Sequence, residues 1–241
     1  MTDAAPTVDM QALADSLSRL SEQHDGAILQ QSLMQVLESC VQLFDIDGGG
    51  LMLADEHSDL RYVVALKGLS QLLEDAQLET GEGPCVDTFL YDAVITCADV
   101  TTDERWPKLA GVLADKNIGA VLGIPIRLSD FPVGSLDIYR SEAREWDPAE
   151  VAALTRYGQI AEAMLAAAVH AEQAGTLAAQ LSYALEYRQP IERGVGYLMA
   201  RDGLGQAEAF NRLRLAARSA RRKIGDVARD LLSTGRLPEE S

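Results

Sequence analysis

The sequence predicts an α+β protein: an N-terminal domain on a mainly antiparallel sheet flanked by helices, a long connecting coiled-coil helix, and a C-terminal three-helix module. Three observations carry that reading. Between positions 48 and 139 short apolar or β-branched runs recur, two pairs of them joined by polar turns, which is hairpin patterning rather than βαβ alternation. From Asp147-Pro148 an alanine-rich helical pattern runs to Arg201. Behind it, two short amphipathic segments carry a dense set of arginines.

Taken in order, residues 9–44 read as two helices. Met10, Leu13, Leu17 and Leu20 keep helical spacing; after a break at His24-Asp25-Gly26, so do Ile28, Leu29, Leu33, Val36, Leu37, Cys40, Val41 and Phe44. Gly48 to Ala54 and Leu60 to Leu66 are strands on either side of a polar turn, Asp55 to Asp59. Val94 to Ala98, Ala120 to Arg127 and Val133 to Tyr139 are further strands, the last two joined across Leu128 to Pro132. Helical patterning between Glu104 and Lys116 interrupts the set.

Pro148 suits the first turn of the next helix, with Asp147 as its N-cap. Further on, Leu177, Leu181, Ala184, Arg188, Ile191, Val195 and Leu198 recur in alternating steps of four and three, the a/d seam of a coiled-coil dimer. An amphipathic helix packed on its own domain is the alternative. Two residues fit the seam poorly. Arg188 brings a charge into it, and Pro190 removes a backbone donor, so a kink or a fresh start capped by Gln189 is expected there. Asp202-Gly-Leu-Gly205 ends the helix. Residues 206–217 then place Ala209, Phe210, Leu213 and Ala217 on one helical face, and residues 221–232 do the same with Ile224, Val227, Ala228 and Leu231.

The chain has a formal net charge of −16, unevenly spread. After Gln180, eleven Lys/Arg stand against eight Asp/Glu, net +3, and everything before is net −19. From Asn211 to Arg229 come Arg212, Arg214, Arg218, Arg221, Arg222, Lys223 and Arg229 against a single acid, Asp226. In so acidic a chain, local arginine concentration marks a dedicated site rather than general attraction to polyanions. Nucleic-acid phosphate is its most direct use, and a solvated helix face is the plain alternative. The N-terminal segment has neither a basic n-region nor an apolar h-region, and no apolar stretch nears the roughly 20 residues that span a bilayer, so no membrane association is expected. Cys40, Cys85 and Cys97 are widely spaced and odd in number, with only His24, His57 and His170 beside them. That argues against a disulfide framework or zinc site and fits a reducing cytoplasm.

The run Ile191-Glu-Arg-Gly-Val-Gly-Tyr-Leu-Met-Ala-Arg201, with Leu204, Glu208-Ala-Phe210, Leu213-Arg214, Ala217-Arg218, Arg222-Lys-Ile224 and Asp226-Val-Ala228 behind it, closely resembles the ANTAR domain in residue type and spacing. ANTAR is the RNA-binding antiterminator module of bacterial regulators. Upstream, Gly81-Glu-Gly-Pro-Cys85, Arg105-Trp-Pro107, Gly123-Ile-Pro-Ile-Arg127 and Gly134-Ser-Leu-Asp-Ile-Tyr139 resemble the GAF sensor domain that precedes ANTAR in proteins of the actinobacterial type. The resemblance implies a GAF sensor domain over 1–165, a helical linker over 166–182 and an ANTAR domain over 183–236. It implies a cytoplasmic homodimer that binds paired RNA stem-loops in nascent transcripts and lets transcription read through a terminator.

Arg214, Arg218, Arg221, Arg222 and Lys223 are then the expected RNA contacts, since guanidinium groups pair with phosphate and stack on splayed loop bases. By family position Glu82, Cys85 and Trp106, with Pro107, line the sensor pocket, which in the family has room for a small-molecule effector; no cofactor is expected. Three positions depart from the family: Gly194 where alanine is usual, Val195 where lysine is usual, and Arg221 where asparagine is frequent.

Cys85 has two readings, an accessible redox-active thiol in a loop or a buried small hydrophobe, and Trp106 is either a ligand platform or a packing anchor. Two other function classes compete. One is a GAF-regulated DNA-binding transcription factor, since three short helices and a basic segment also suit a helix-turn-helix. The other is a cysteine-based redox GAF enzyme, although no second cysteine is placed to resolve Cys85. No phosphate-cradling loop, HExxH helix or nucleophile elbow occurs, so neither a catalytic residue nor a metal ligand is expected.

Overall fold

The computed structural model describes residues 29–54, 60–66, 68–128, 131–170 and 176–238, with backbone alone at 61, 62, 169, 170 and 176–187. The helix expected around Met10 to Leu20 and the turn Asp55 to Asp59 lie outside the described residues. The chain opens on α1 (Leu29–Phe44), β1 (Gly48–Ala54), β2 (Leu60–Ala65), α2 (Leu69–Thr80) and α3 (Pro84–Tyr91). It continues through β3 (Ile95–Cys97), α4 (Pro107–Leu113), β4 (Val121–Leu128), β5 (Phe131–Tyr139) and α5 (Pro148–His170). Then come α6 (Thr176–Asp202), α7 (Gln206–Ser219) and α8 (Ile224–Thr234).

Five strands form one antiparallel sheet in the order β2-β1-β5-β4-β3, with helices grouped on its faces, which is the expected α+β arrangement. Strand periodicity divides the faces. Leu51, Leu136 and Ile124 are register partners across β1, β5 and β4, and all three are buried among α1 and α5. α1 supplies Leu33, Val36, Leu37, Cys40 and Phe44, and Phe44 meets Tyr157 of α5 edge-on, with ring centroids 5.9 Å apart. Asp147 caps α5 as its sequence predicts: its Oδ1 accepts from the Ala149 N–H at 2.8 Å.

The opposite sheet face is covered by α2, α3 and α4. Neither α2 nor α3 was expected from the sequence. Gly-Pro at 83–84 reads as loop punctuation, yet Pro84 sits in the first turn of α3, the one helical position that needs no backbone donor. Cys85 is therefore helical and fully buried rather than in a loop.

The C-terminal helices make their own core. Val195 and Leu198 of α6, Phe210, Leu213 and Ala217 of α7, and Ile224, Val227, Ala228 and Leu231 of α8 are buried together. Gly194 lies at the crossing of α6 and α8: a methyl group there would stand 3.2 Å from Ala228 Cβ, so the glycine permits close approach. α6 runs unbroken through Pro190, without the expected fresh start. Proline costs about 3 kcal/mol inside a helix, whereas burying Val195 and Leu198 returns about 1.5–3 kcal/mol each.

Candidate sensor core and nucleic-acid surface

At the centre of the sheet face beneath α2 and α3, Asp137 of β5 has Gly50 of β1 and Gly123 of β4 as its register partners. Two glycines beside it leave room for helix side chains to come down onto the sheet. Glu74 of α2 occupies the space over Gly50, where a methyl group would lie 3.2 Å from Glu74 Oε1. Thr88 Oγ1 of α3 stands directly over Gly123. Cys85, one helical turn before Thr88, points to the same place. Its Sγ is 3.1 Å from Ser135 Oγ, which donates to Asp137 Oδ2 at 2.6 Å. Gln77 closes the group, donating to Glu74 Oε2 at 3.2 Å and accepting from the Cys85 N–H at 2.8 Å.

Glu74, Gln77, Cys85, Thr88, Ser135 and Asp137 all have 0–1% of their surface exposed. One ligand atom from each of Glu74, Cys85 and Asp137 lies within 4.8 Å of the others. Glu74 Oε1, Thr88 Oγ1 and Asp137 Oδ1 have no hydrogen-bond partner. Burial raises the Asp137 carboxyl to about 7 against opposing hydrogen bonds from Ser135 and Cys85. Burial, with Asp137 beside it, pushes Glu74 well above its ordinary value. Burial and the carboxylates of Asp137 and Glu74 raise the Cys85 thiol well above its ordinary value too. An accessible, readily ionised thiol is thus excluded at Cys85; the buried reading holds.

Of the three expected pocket residues, only Cys85 belongs to this group. Glu82 sits at the surface, bonded to the Lys108 N–H at 2.9 Å and paired with its ammonium at 2.9 Å. Trp106 is 2% exposed and packs with Leu73, Leu109 and Leu113 in a separate cluster, its Nε1–H donating to Asp87 Oδ2 at 3.0 Å. Sequence reasoning missed Glu74, Gln77, Thr88, Ser135 and Asp137. The signal for Asp137 was present: an acid inside a strand, Val133 to Ile138, whose only other polar side chain is Ser135.

The basic residues gather where α7 ends and α8 begins. Arg218, Arg221 and Arg222 are exposed; Arg214 and Lys223 are half-buried. Arg221 has φ 52° and sits past the end of α7, where the Arg222 N–H bonds to Ala217 O and the Arg221 N–H to Arg218 O. That is a Schellman end, whose left-handed residue is normally glycine or asparagine. The family's asparagine at this position thus has a backbone reason. Acids outside the basic run also reach it: Asp230 lies 2.7 Å from Arg222 and Asp202 lies 2.8 Å from Arg212. Both are surface pairs, weakened by solvent screening.

The expected dimer seam is divided. Leu177, Leu181 and Ala184 lie where only backbone is described, whereas Val195 and Leu198 are spent on their own chain's core, and Ile191 packs against it. Arg188 is likewise turned inward. It donates to Pro132 O of β5 at 3.2 Å, pairs with Glu192 at 2.8 Å, and sets its guanidinium 5.7 Å from the Phe89 ring centroid of α3. A coiled-coil seam through 188–198 is corrected accordingly, since apolar groups already buried in cis have no face left for a partner. Val195, where the family usually has lysine, is 7% exposed and lies in the core of the C-terminal helices.

These contacts belong to a wider junction. Phe89 and Phe210 meet edge-on at 6.2 Å, Gln206 Nε2 donates to Leu90 O at 2.9 Å, and Arg214 Nη2 stands 3.2 Å from where a side chain on Gly81 would begin. One apolar cluster runs from Met52, Cys85, Phe89 and Leu90 into α6, α7 and α8.

The GAF domain matches residues 29–165 and the ANTAR domain residues 179–232. The chain is a GAF protein with an ANTAR domain behind it. No curated protein matches this GAF–ANTAR chain. Solved structures similar to it include the free methionine-R-sulfoxide reductase of Neisseria meningitidis in complex with its substrate (16% identity, TM-score 0.55, 71% of this chain and 95% of that one). The GAF domain of an Acinetobacter phosphoenolpyruvate-protein phosphotransferase is another (20%, 0.52, 68% and 97%). A third is the reduced form of fRMsr of Staphylococcus aureus (18%, 0.52, 68% and 99%). At these identities the likeness shows the GAF fold alone. Among the described residues of the GAF–ANTAR protein no helix is long and apolar enough to cross a membrane.

Proposed function

We propose that the protein is a cytoplasmic transcription antitermination regulator in which the GAF domain senses a signal and governs an ANTAR module that binds paired RNA hairpins. The observation that carries this is the exposed basic corner Arg218, Arg221 and Arg222, standing on an ANTAR domain at the end of α7. Guanidinium groups at a helix junction suit loops whose phosphates and unstacked bases are both open. Homodimerisation through the part of α6 ahead of Arg188 pairs two such corners, and two linked weak contacts gain through effective concentration. The junction between α3 and α7 supports control in cis: docking holds Arg214 against Gly81, and a signal that weakens docking releases it to join the exposed Arg218, Arg221 and Arg222.

A gel shift tests the reading. The full chain should retard a double-hairpin RNA in preference to duplex DNA of equal charge, and Arg218→Ala with Arg222→Ala should weaken RNA binding at least tenfold with a shallower salt dependence. Equal retention of duplex DNA would favour the helix-turn-helix alternative. Turnover of free methionine sulfoxide with a thiol reductant would favour the enzyme.

A further inference from the structure

We infer that Glu74, Cys85 and Asp137 form a binding site for a divalent transition-metal ion in the core of the GAF domain. The site belongs to the sensor of the regulator proposed above and rests on that reading only for its regulatory meaning. The three widely spaced cysteines and few histidines argued against a zinc site, and Glu74, Cys85 and Asp137 themselves lie more than ten positions apart. The fold assembles them from α2, α3 and β5, with ligand atoms within 4.8 Å of one another.

Two features separate this group from an ordinary cluster of acids. All three ligand side chains are fully buried, so water does not stabilise their charges. Oxygens on both carboxylates, and Thr88 Oγ1 over the neighbouring Gly123, are left without a hydrogen-bond partner, although buried polar atoms are nearly always satisfied. A cation would answer two buried acceptor oxygens and a thiol at once.

The donor set chooses among cations. One sulfur and two carboxylates suit zinc and its first-row neighbours, while magnesium and calcium prefer oxygen alone. On binding, the Cys85 S–H bond and the O–H bond of any protonated carboxyl of Glu74 or Asp137 break, the sulfur and oxygen pairs form the metal bonds, and the protons leave to solvent. The two carboxylates then face a positive charge instead of each other. Ser135 and Gln77, already bonded to Asp137 and Glu74, hold those carboxylates in place from outside. The consequence reaches the ANTAR domain by a short route. Cys85 and Phe89 are one helical turn apart on α3, so an ion that draws Cys85 toward the sheet also moves the ring on which Phe210 rests.

Cobalt(II) is the probe for the full chain, stripped with a chelator and kept reduced. One ion per chain is expected, with a thiolate-to-cobalt charge-transfer band in the near ultraviolet, displaced by zinc. Cys85→Ser should abolish the band, Glu74→Gln and Asp137→Asn should each weaken binding at least tenfold, and Cys97→Ser should leave it unchanged. Circular dichroism and cooperative unfolding establish that each variant is folded, and the two isosteric carboxamides serve should the serine variant fail. No band with the folded wild-type chain, a band that survives Cys85→Ser, or unaltered affinity in Glu74→Gln overturns the proposal. So does stabilisation by methylamine but not by cobalt, which would assign the pocket to an organic ammonium. RNA does not enter these measurements, so their failure and the failure of the antitermination reading are separable.

Discussion

Arg221 stands against local backbone preference. A non-glycine residue in the left-handed region costs about 1–2 kcal/mol, less for asparagine, whose side chain satisfies itself locally. Arg221→Asn is therefore expected to raise unfolding stability by about 0.5–1 kcal/mol in urea titration, while weakening RNA binding if the guanidinium is a contact. Asp137 makes a second prediction, through pH. Its folded value of about 7 lies above the ordinary 3.8, so the protonated form favours folding. That contribution is fully present below about pH 4 and is lost as pH rises through about 7. In chelator-treated protein the urea midpoint should fall between about pH 4 and pH 7, and Asp137→Asn should flatten the decline. An unchanged slope in the variant would mean that Asp137 does not titrate there.

Among the elements, α6 carries the sharpest revision. The four-and-three spacing from Leu177 to Leu198 is the same for a coiled coil and for a helix packed on its own domain, and the two differ only in what lies opposite. For Val195 and Leu198 that is α7 and α8. Arg188→Ala should thus loosen the junction with the GAF domain rather than tighten a dimer. With a charged hydrogen bond to Pro132 lost, the junction should weaken by about 1.5–3 kcal/mol, read as faster amide exchange in α7. Unaltered exchange there would remove Arg188 from the junction.

The strands and the two short C-terminal helices were legible because alternation, helical spacing and glycine stops all agree in them. α2 and α3 were not, because the glycines and Pro84 that bound them read equally as a loop. The polar core was illegible for a different reason. Glu74, Cys85 and Asp137 meet only when α2 and α3 lie over two glycines of neighbouring strands, and no local pattern records that meeting. The basic corner was visible as composition, but its acids Asp202 and Asp230 come from outside the run.

For the whole molecule, the two domains share one apolar cluster across the α3–α7 junction. A sensor that shares core with its output domain can bias it without a long relay, since any ligand preferring one docking state shifts the population. The reverse also follows: RNA that prefers the undocked state must loosen α3. The most direct measurement is the dissociation constant of double-hairpin RNA for the full chain, wild type against the double variant Arg188→Ala, Gln206→Ala. Both changes lie at the junction and outside the basic corner. If docking withholds Arg214 from the exposed basic corner, the folded double variant binds at least fivefold more tightly than the wild type. Equal or weaker binding would contradict control of the ANTAR domain by its contact with the GAF domain.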